Sequence, residues 1–324
     1  MSLEDAPFTA KGISPFLERG NRERKEACAR ATSLLVNAGN AKTAFAATGY
    51  LLEPLLALLP EEPAAAGPLA AFAERLTRSS AYPEAAVCID AVIDRASDVP
   101  LGEIEEPWDE AIGGPMTWPR QQALLWLWRG EGRLASGDRA GGDAALAEGV
   151  RRAEAAAMPT PFGLLGSGSP FRGDAADRAM WARVQAASAL RLRFEGKDAC
   201  DFRKVKKRKA NEKPDRALLE LARAYLDDAL AVIGPRVAAQ YAGLTPKADG
   251  AADGWAFALV THQWQRFAYF ESGLVDEHLG DLARARVHLG RAKWISALGN
   301  PTHRHEYALQ ETVARLQLEN VPLA

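Results

Sequence analysis

An all-α fold of irregular antiparallel helical hairpins is what this sequence predicts, and three observations carry it. Apolar residues recur at spacings of three and four along most of the chain, the period of one helix face. Short Gly-Asp, Gly-Asn and Ser-Ser breaks interrupt those stretches where a helix would turn back. Alternating Val/Ile/Thr runs that would read as strands are absent, while alanine crowds 64–73 and 144–157 and favours helix.

Residues 1–15, with Pro7, Gly12 and Pro15, read as a flexible N-terminal arm. Residues 16–324 read as a single helical-repeat domain, with a candidate sub-boundary near 158–173. The first helix is expected from Phe16 to Ala38, broken at Gly39-Asn40. The next, over 41–59, turns Ala44, Phe45, Thr48 and Leu51 inward, and Pro54 should kink it because proline removes a backbone donor and crowds the preceding turn. Pro60, Pro63 and Pro68 bracket the following turn. A second hairpin spans 68–97: Leu69, Phe72, Ala73 and Leu76 form one stripe, Ser79-Ser80 the break, and Pro83 suits a first helical turn. Ala85, Ala86, Ile89, Val92 and Ile93 form the returning face.

The pattern stops over 98–119, which is rich in Pro, Gly and acidic residues yet holds Trp108 and Trp118. A loop of that length inside a compact domain is usually functional or mobile. A third hairpin follows at 120–157, then a Pro/Gly/apolar insertion at 158–173 that reads as a packed loop. Asp174 can cap a helix over 175–195, which Gly196 ends. After a basic run, Pro214-Asp215 opens a helix over 215–233 with Leu218, Leu221, Ala222, Tyr225 and Leu226 inward. Residues 235–252 read as a short helical turn and a loop. Asp253 caps a helix over 254–279, Gly280-Asp281 turns it into the next, and a last helix over 303–318 fits a terminal cap.

The segment 269–298 organises the rest. Gly280 can adopt the left-handed conformation that closes a helix, Asp281 can cap the next one, and Ala285, Leu289 and Ala292 share a face. Trp126, Gly130, Gly137-Asp138 and Leu146 keep the spacing of Tyr269, Gly273, Gly280-Asp281 and Leu289, although Gly142 and Gly149 replace Ala285 and Ala292. Glycine inside a helix costs roughly 1 kcal/mol relative to alanine, so the second helix of this copy should be the softer one. Tyr82, Ala85 and Ile89 fit the later half of the same pattern. In these residues the chain resembles a tetratricopeptide repeat (TPR). A regular TPR array repeats at about 34 residues, and the wider separation of these copies implies an irregular array.

The resemblance implies a right-handed superhelix with a C-terminal capping helix and a concave face that binds extended peptides. Carried over position by position, it puts Leu127, Glu131, Leu134, Phe270, Leu274, Glu277 and His278 on that face, with Arg183 and Arg193 added through Gly196. The Lys/Asn/Arg pattern that clamps a peptide's terminal carboxylate in some family members is not recognisable. The leading expectation is a non-enzymatic scaffold for another protein or peptide. An enzyme or small-ligand sensor, with a pocket between the helices and the loops 98–119 and 158–173, is the alternative. Nucleic-acid binding through Arg203, Lys204, Lys206, Lys207, Arg208 and Lys209 is the third; a solvated inter-helix loop is the plainer account of that run, and a net charge of -2 supplies no global pull toward phosphate.

No cofactor or metal is expected. Cys28, Cys88 and Cys200 are isolated, and His262, His278, His288, His303 and His305 lack ligand spacing. The glycines of 163–173 follow no strand and lack a Gly-Lys-Ser/Thr ending, and neither Ser167 nor Ser169 sits in a GxSxG turn. Asp227-Asp228 is similar to only half of the aspartate-rich motif of helical terpene synthases. The first residues lack the basic and apolar regions of a signal peptide, and the most apolar stretch, Tyr50 to Leu59, is too short for a bilayer. The expected compartment is the cytoplasm, with no membrane partner.

Overall fold

The computed structural model describes residues 8–36, 41–96, 118–156, 162–163, 172–173, 175–200, 214–241, 261–298, 304–319 and 321. Among these the fold is all-helical, with twelve α-helices: α1 Ala10–Leu17, α2 Asn21–Val36, α3 Ala41–Leu58, α4 Ala66–Arg78, α5 Tyr82–Ala96, α6 Trp118–Ser136, α7 Arg139–Ala155, α8 Ala175–Phe194, α9 Arg216–Tyr241, α10 Thr261–Leu279, α11 Leu282–Leu298 and α12 Arg304–Leu316. A 3-10 turn at Pro63–Ala65 precedes α4. One two-residue antiparallel ladder, Phe162–Gly163 against Arg172–Gly173, interrupts the helices.

The expected breaks end helices by one mechanism. Gly137, Gly196 and Gly280 have φ of 98°, 75° and 86°. In each case the following N–H reaches back five residues: Asp138 to the Arg133 carbonyl at 2.9 Å, Lys197 to Leu192 at 2.8 Å, and Asp281 to Asp276 at 2.9 Å. This closure satisfies carbonyls that the helix leaves bare. Asp138 then accepts from the Gly141 N–H at 2.9 Å, and Asp281 from the Arg284 N–H at 3.3 Å, which caps α7 and α11.

The helices form two compact units, α1–α7 and α8–α12. In the first, α4 packs on α2, α3, α5 and α6. Its sequence explains this: Gly and Ala at 66, 67, 70, 71 and 73 let neighbours approach, while Leu69, Phe72 and Leu76 fill the core with Leu35, Leu51, Leu55 and Ile89. In the second unit, α10 packs on α8, α9 and α11, and α12 packs on α11. Tyr225, Leu219, Leu226, Val275 and Leu289 form its core.

The α6–α7 and α10–α11 hairpins share a register. Gly130 lies eight residues before Asp138 and faces Leu146, eight residues after it; Gly273 and Leu289 stand in the same relation to Asp281. A Cβ on Gly130 would come within 2.6 Å of the Leu146 side chain, and one on Gly273 within 2.3 Å of Leu289. Each glycine is therefore the seat of a leucine.

Several expectations are corrected. The arm over 1–15 is helical from Ala10, where Thr9 caps α1 and Ile13, Phe16 and Leu17 are buried. The single helix expected over 16–38 is two, because the chain turns at Glu18–Gly20. Helix α9 does not stop near 233; it runs through Pro235 to Tyr241. Gly142 and Gly149 are points of close approach between α6 and α7. A Cβ at either would strike Leu134 or Leu127, so the missing methyl groups are what admit those leucines.

Candidate functional site

The central helix of the second unit carries charge into the core. Glu271 and Asp276 on α10 are 2% and 1% exposed. Ionised carboxylates at such depth are stable only when paired and hydrogen-bonded. Arg191, one turn before the end of α8, supplies the first partner: its guanidinium forks onto Glu271 at 2.7 and 2.9 Å. It also donates to Glu195, which accepts from Lys197 at 2.6 Å and contacts His278 Nε2 at 3.1 Å. Burial opposes the Arg191 charge, but the two carboxylates hold its pKa above the ordinary arginine range. Burial likewise works against the Glu195 charge, yet hydrogen bonds from His278, Lys197 and Arg191 hold its carboxyl well below the usual glutamate range.

Asp276 is the second node. His288 Nδ1 on α11 lies 2.9 Å from Oδ2, Arg284 Nε 3.2 Å from Oδ2, and Arg223 Nε on α9 3.2 Å from Oδ1. Arg223 also reaches Asp281 at 2.7 Å, and this bond depresses the Asp281 carboxyl; Arg284 reaches Asp227. One carboxylate thus ties α9, α10 and α11 together.

A carboxylate beside an imidazole raises the question of nucleophilic catalysis. Ser272 lies one turn before Asp276 on α10, but its hydroxyl donates to the Ala268 carbonyl at 2.8 Å. That back-bond along its own helix occupies the hydroxyl's donor. The network's geometry is that of an inter-helix brace.

The residues placed on a binding face by the sequence divide sharply. Leu127 and Leu134 are buried against Gly149 and Gly142, and Phe270 is buried on α10. Glu131 is buried too, accepting from the Tyr82 hydroxyl at 3.0 Å. All four are core: Leu127 and Leu134 lie on the face that closes their own hairpin, whereas Glu131 faces α5. Leu274, Glu277 and Arg183 are partly exposed; Arg193 and His278 are exposed. Glu277 is bound by Arg315 of α12, and Arg183 donates to the Ala179 carbonyl at 3.3 Å. His278 packs edge-on to Phe194, with ring centroids 5.3 Å apart. Leu274, Glu277 and His278 thus share one stretch of α10, beside the end of α8.

The basic run Arg203–Lys209 and the loop over 98–117 lie outside the described residues, as does 158–173 apart from the short ladder. Among the described residues no three His, Cys, Asp or Glu gather to hold a metal ion, and no helix is long and apolar enough to cross a membrane.

The brace itself escaped the sequence. Its signal was present: Glu271 and Asp276 fall on helix positions that pack against neighbours, and Arg191, Arg223 and Arg284 recur on the facing helices. No family model, no curated protein and no solved structure matches the chain.

Proposed function

We propose that this chain is a non-enzymatic scaffold that binds another protein or peptide, built from TPR-like hairpins stacked into a superhelix. The observation that carries the proposal is the common register of Gly130–Leu146 and Gly273–Leu289, each pair centred on its capping aspartate. Hairpins closed by the same contact are repeatable units, and stacking such units leaves helix faces free for a partner. The buried carboxylates support the same reading, since inter-helix contacts occupy them. Apolar side chains also reach solvent on α11: Leu282 and Val287 are 56% and 40% exposed.

The test is capture by the purified chain, with nuclease treatment and identification of the bound protein by cross-linking. A defined protein, retained after nuclease and lost with Leu282→Asp/Val287→Asp or with Arg193→Glu/His278→Glu, is the expected result. Retention of RNA or DNA alone, with steep salt dependence, would replace the proposal by nucleic-acid binding.

A further inference from the structure

After α12 the chain doubles back onto α11. Gln317 takes φ 50°, and the Leu318 N–H donates to the Val313 carbonyl at 3.1 Å, so α12 ends in a tight reversal. Leu318 is buried, and its carbonyl accepts from Lys293 Nζ at 2.7 Å. The Val321 N–H donates to the Gly290 carbonyl at 3.2 Å. Gly290 is a notch: a Cβ there would lie 2.5 Å from Val321 Cγ2 and 2.9 Å from the Glu319 carbonyl oxygen. Among the described residues, two hydrogen bonds, one buried leucine and one half-buried valine hold this tail.

The seat continues beyond the tail. Ala283, Arg286 and Gly290 follow one another at spacings of three and four, so they line one face of α11. The tail covers its second half, while Ala283, Arg286 and neighbouring Leu282 and Val287 stay exposed. We infer that this face of α11 captures an extended peptide segment of a partner protein with two apolar residues three apart, and that Leu318 and Val321 occupy it as an internal competitor. The inference deepens the proposed binding function and rests on it. Recognition is by the second lone pair of the Gly290 carbonyl, an ammonium aimed at a peptide carbonyl, and a glycine notch sized for a branched side chain. None of these demands a particular sequence beyond the apolar pair.

The experiment uses the full chain and a labelled peptide of residues 317–324, read by fluorescence anisotropy. Leu318→Asp/Val321→Asp should release the tail and bind the peptide at least ten-fold more tightly than wild type. Adding Gly290→Ala should abolish that binding. A released-tail variant that keeps its helical circular dichroism but binds no better than wild type overturns the inference. If that variant does not fold, Gly290→Ala alone decides by hydrogen exchange: residues 317–321 should lose protection while α11 keeps it, and unchanged tail protection overturns the idea. Failure here, with protein capture still lost on Leu282→Asp/Val287→Asp, refutes tail competition and leaves the scaffold standing.

Discussion

Leu127 and Gly149 face each other across the α6–α7 hairpin so closely that a Cβ on Gly149 would lie 2.8 Å from Leu127 Cγ and 2.9 Å from its backbone nitrogen. Two effects oppose in Gly149→Ala. Helix propensity favours alanine by about 1 kcal/mol, whereas overpacking a closed core costs about 1–3 kcal/mol. A backbone atom cannot rotate aside as a side-chain tip can, so the clash should win and denaturant unfolding should show a loss of up to about 2 kcal/mol. Unchanged or raised stability would show that the hairpin opens without cost.

Gly49 is the complementary case. It lies inside α3 with nothing within 4 Å of a built Cβ. Gly49→Ala should therefore stabilise by roughly 0.5–1 kcal/mol, through backbone entropy alone. A loss on calorimetry would mean that the position needs glycine for a reason other than space.

These two glycines show what was legible in the sequence. Turn chemistry was, because Gly137, Gly196 and Gly280 act locally and their neighbours alone announce it. Helix existence was, through periodicity. The face each residue presents was not: Leu127, Leu134 and Phe270 are apolar whether they line a groove or a core, and only the partner helix decides. Pro235 misled for a related reason, since tertiary packing can carry a helix past a local breaker. The brace around Asp276 was hidden because its members come from three helices that no local pattern connects.

The Arg191–Glu271 fork should behave as a buried pair. Arg191→Met leaves Glu271 in the core without its bidentate partner, and the expected loss is about 3–5 kcal/mol. Arg191→Met/Glu271→Leu removes both charges and should recover most of that loss. A double variant as unstable as the single one would show that the pair does more than satisfy itself.

Glu195 sets a limb of the acid unfolding curve. Its folded-state pKa lies below the ordinary range, so its contribution is whole above that range and is lost as pH falls through and below it. Unfolding free energy measured from neutral to acid pH should fall more shallowly in Glu195→Gln than in wild type. Parallel curves would mean that the ion cluster at the end of α8 is equally formed in the unfolded ensemble.

Glu74 carries the opposite sign. Burial raises its carboxyl pKa, and the charges of Arg78 and Arg75 offset this only in part, although Arg78 lies 2.7 Å away. Below the ordinary glutamate range, roughly 4.3, folded and unfolded chains both hold the proton and the residue costs nothing. As pH rises, the unfolded chain ionises first, so stability drains until pH passes the folded pKa. Glu74→Gln removes the titration and keeps a polar group for Arg78. Relative to wild type it should therefore gain stability as pH rises from the ordinary glutamate range up to the folded pKa, and level off above it, as followed by denaturant unfolding at each pH. A difference between the two proteins that does not change with pH would mean that Arg78 keeps Glu74 ionised, and that the pair outweighs its burial.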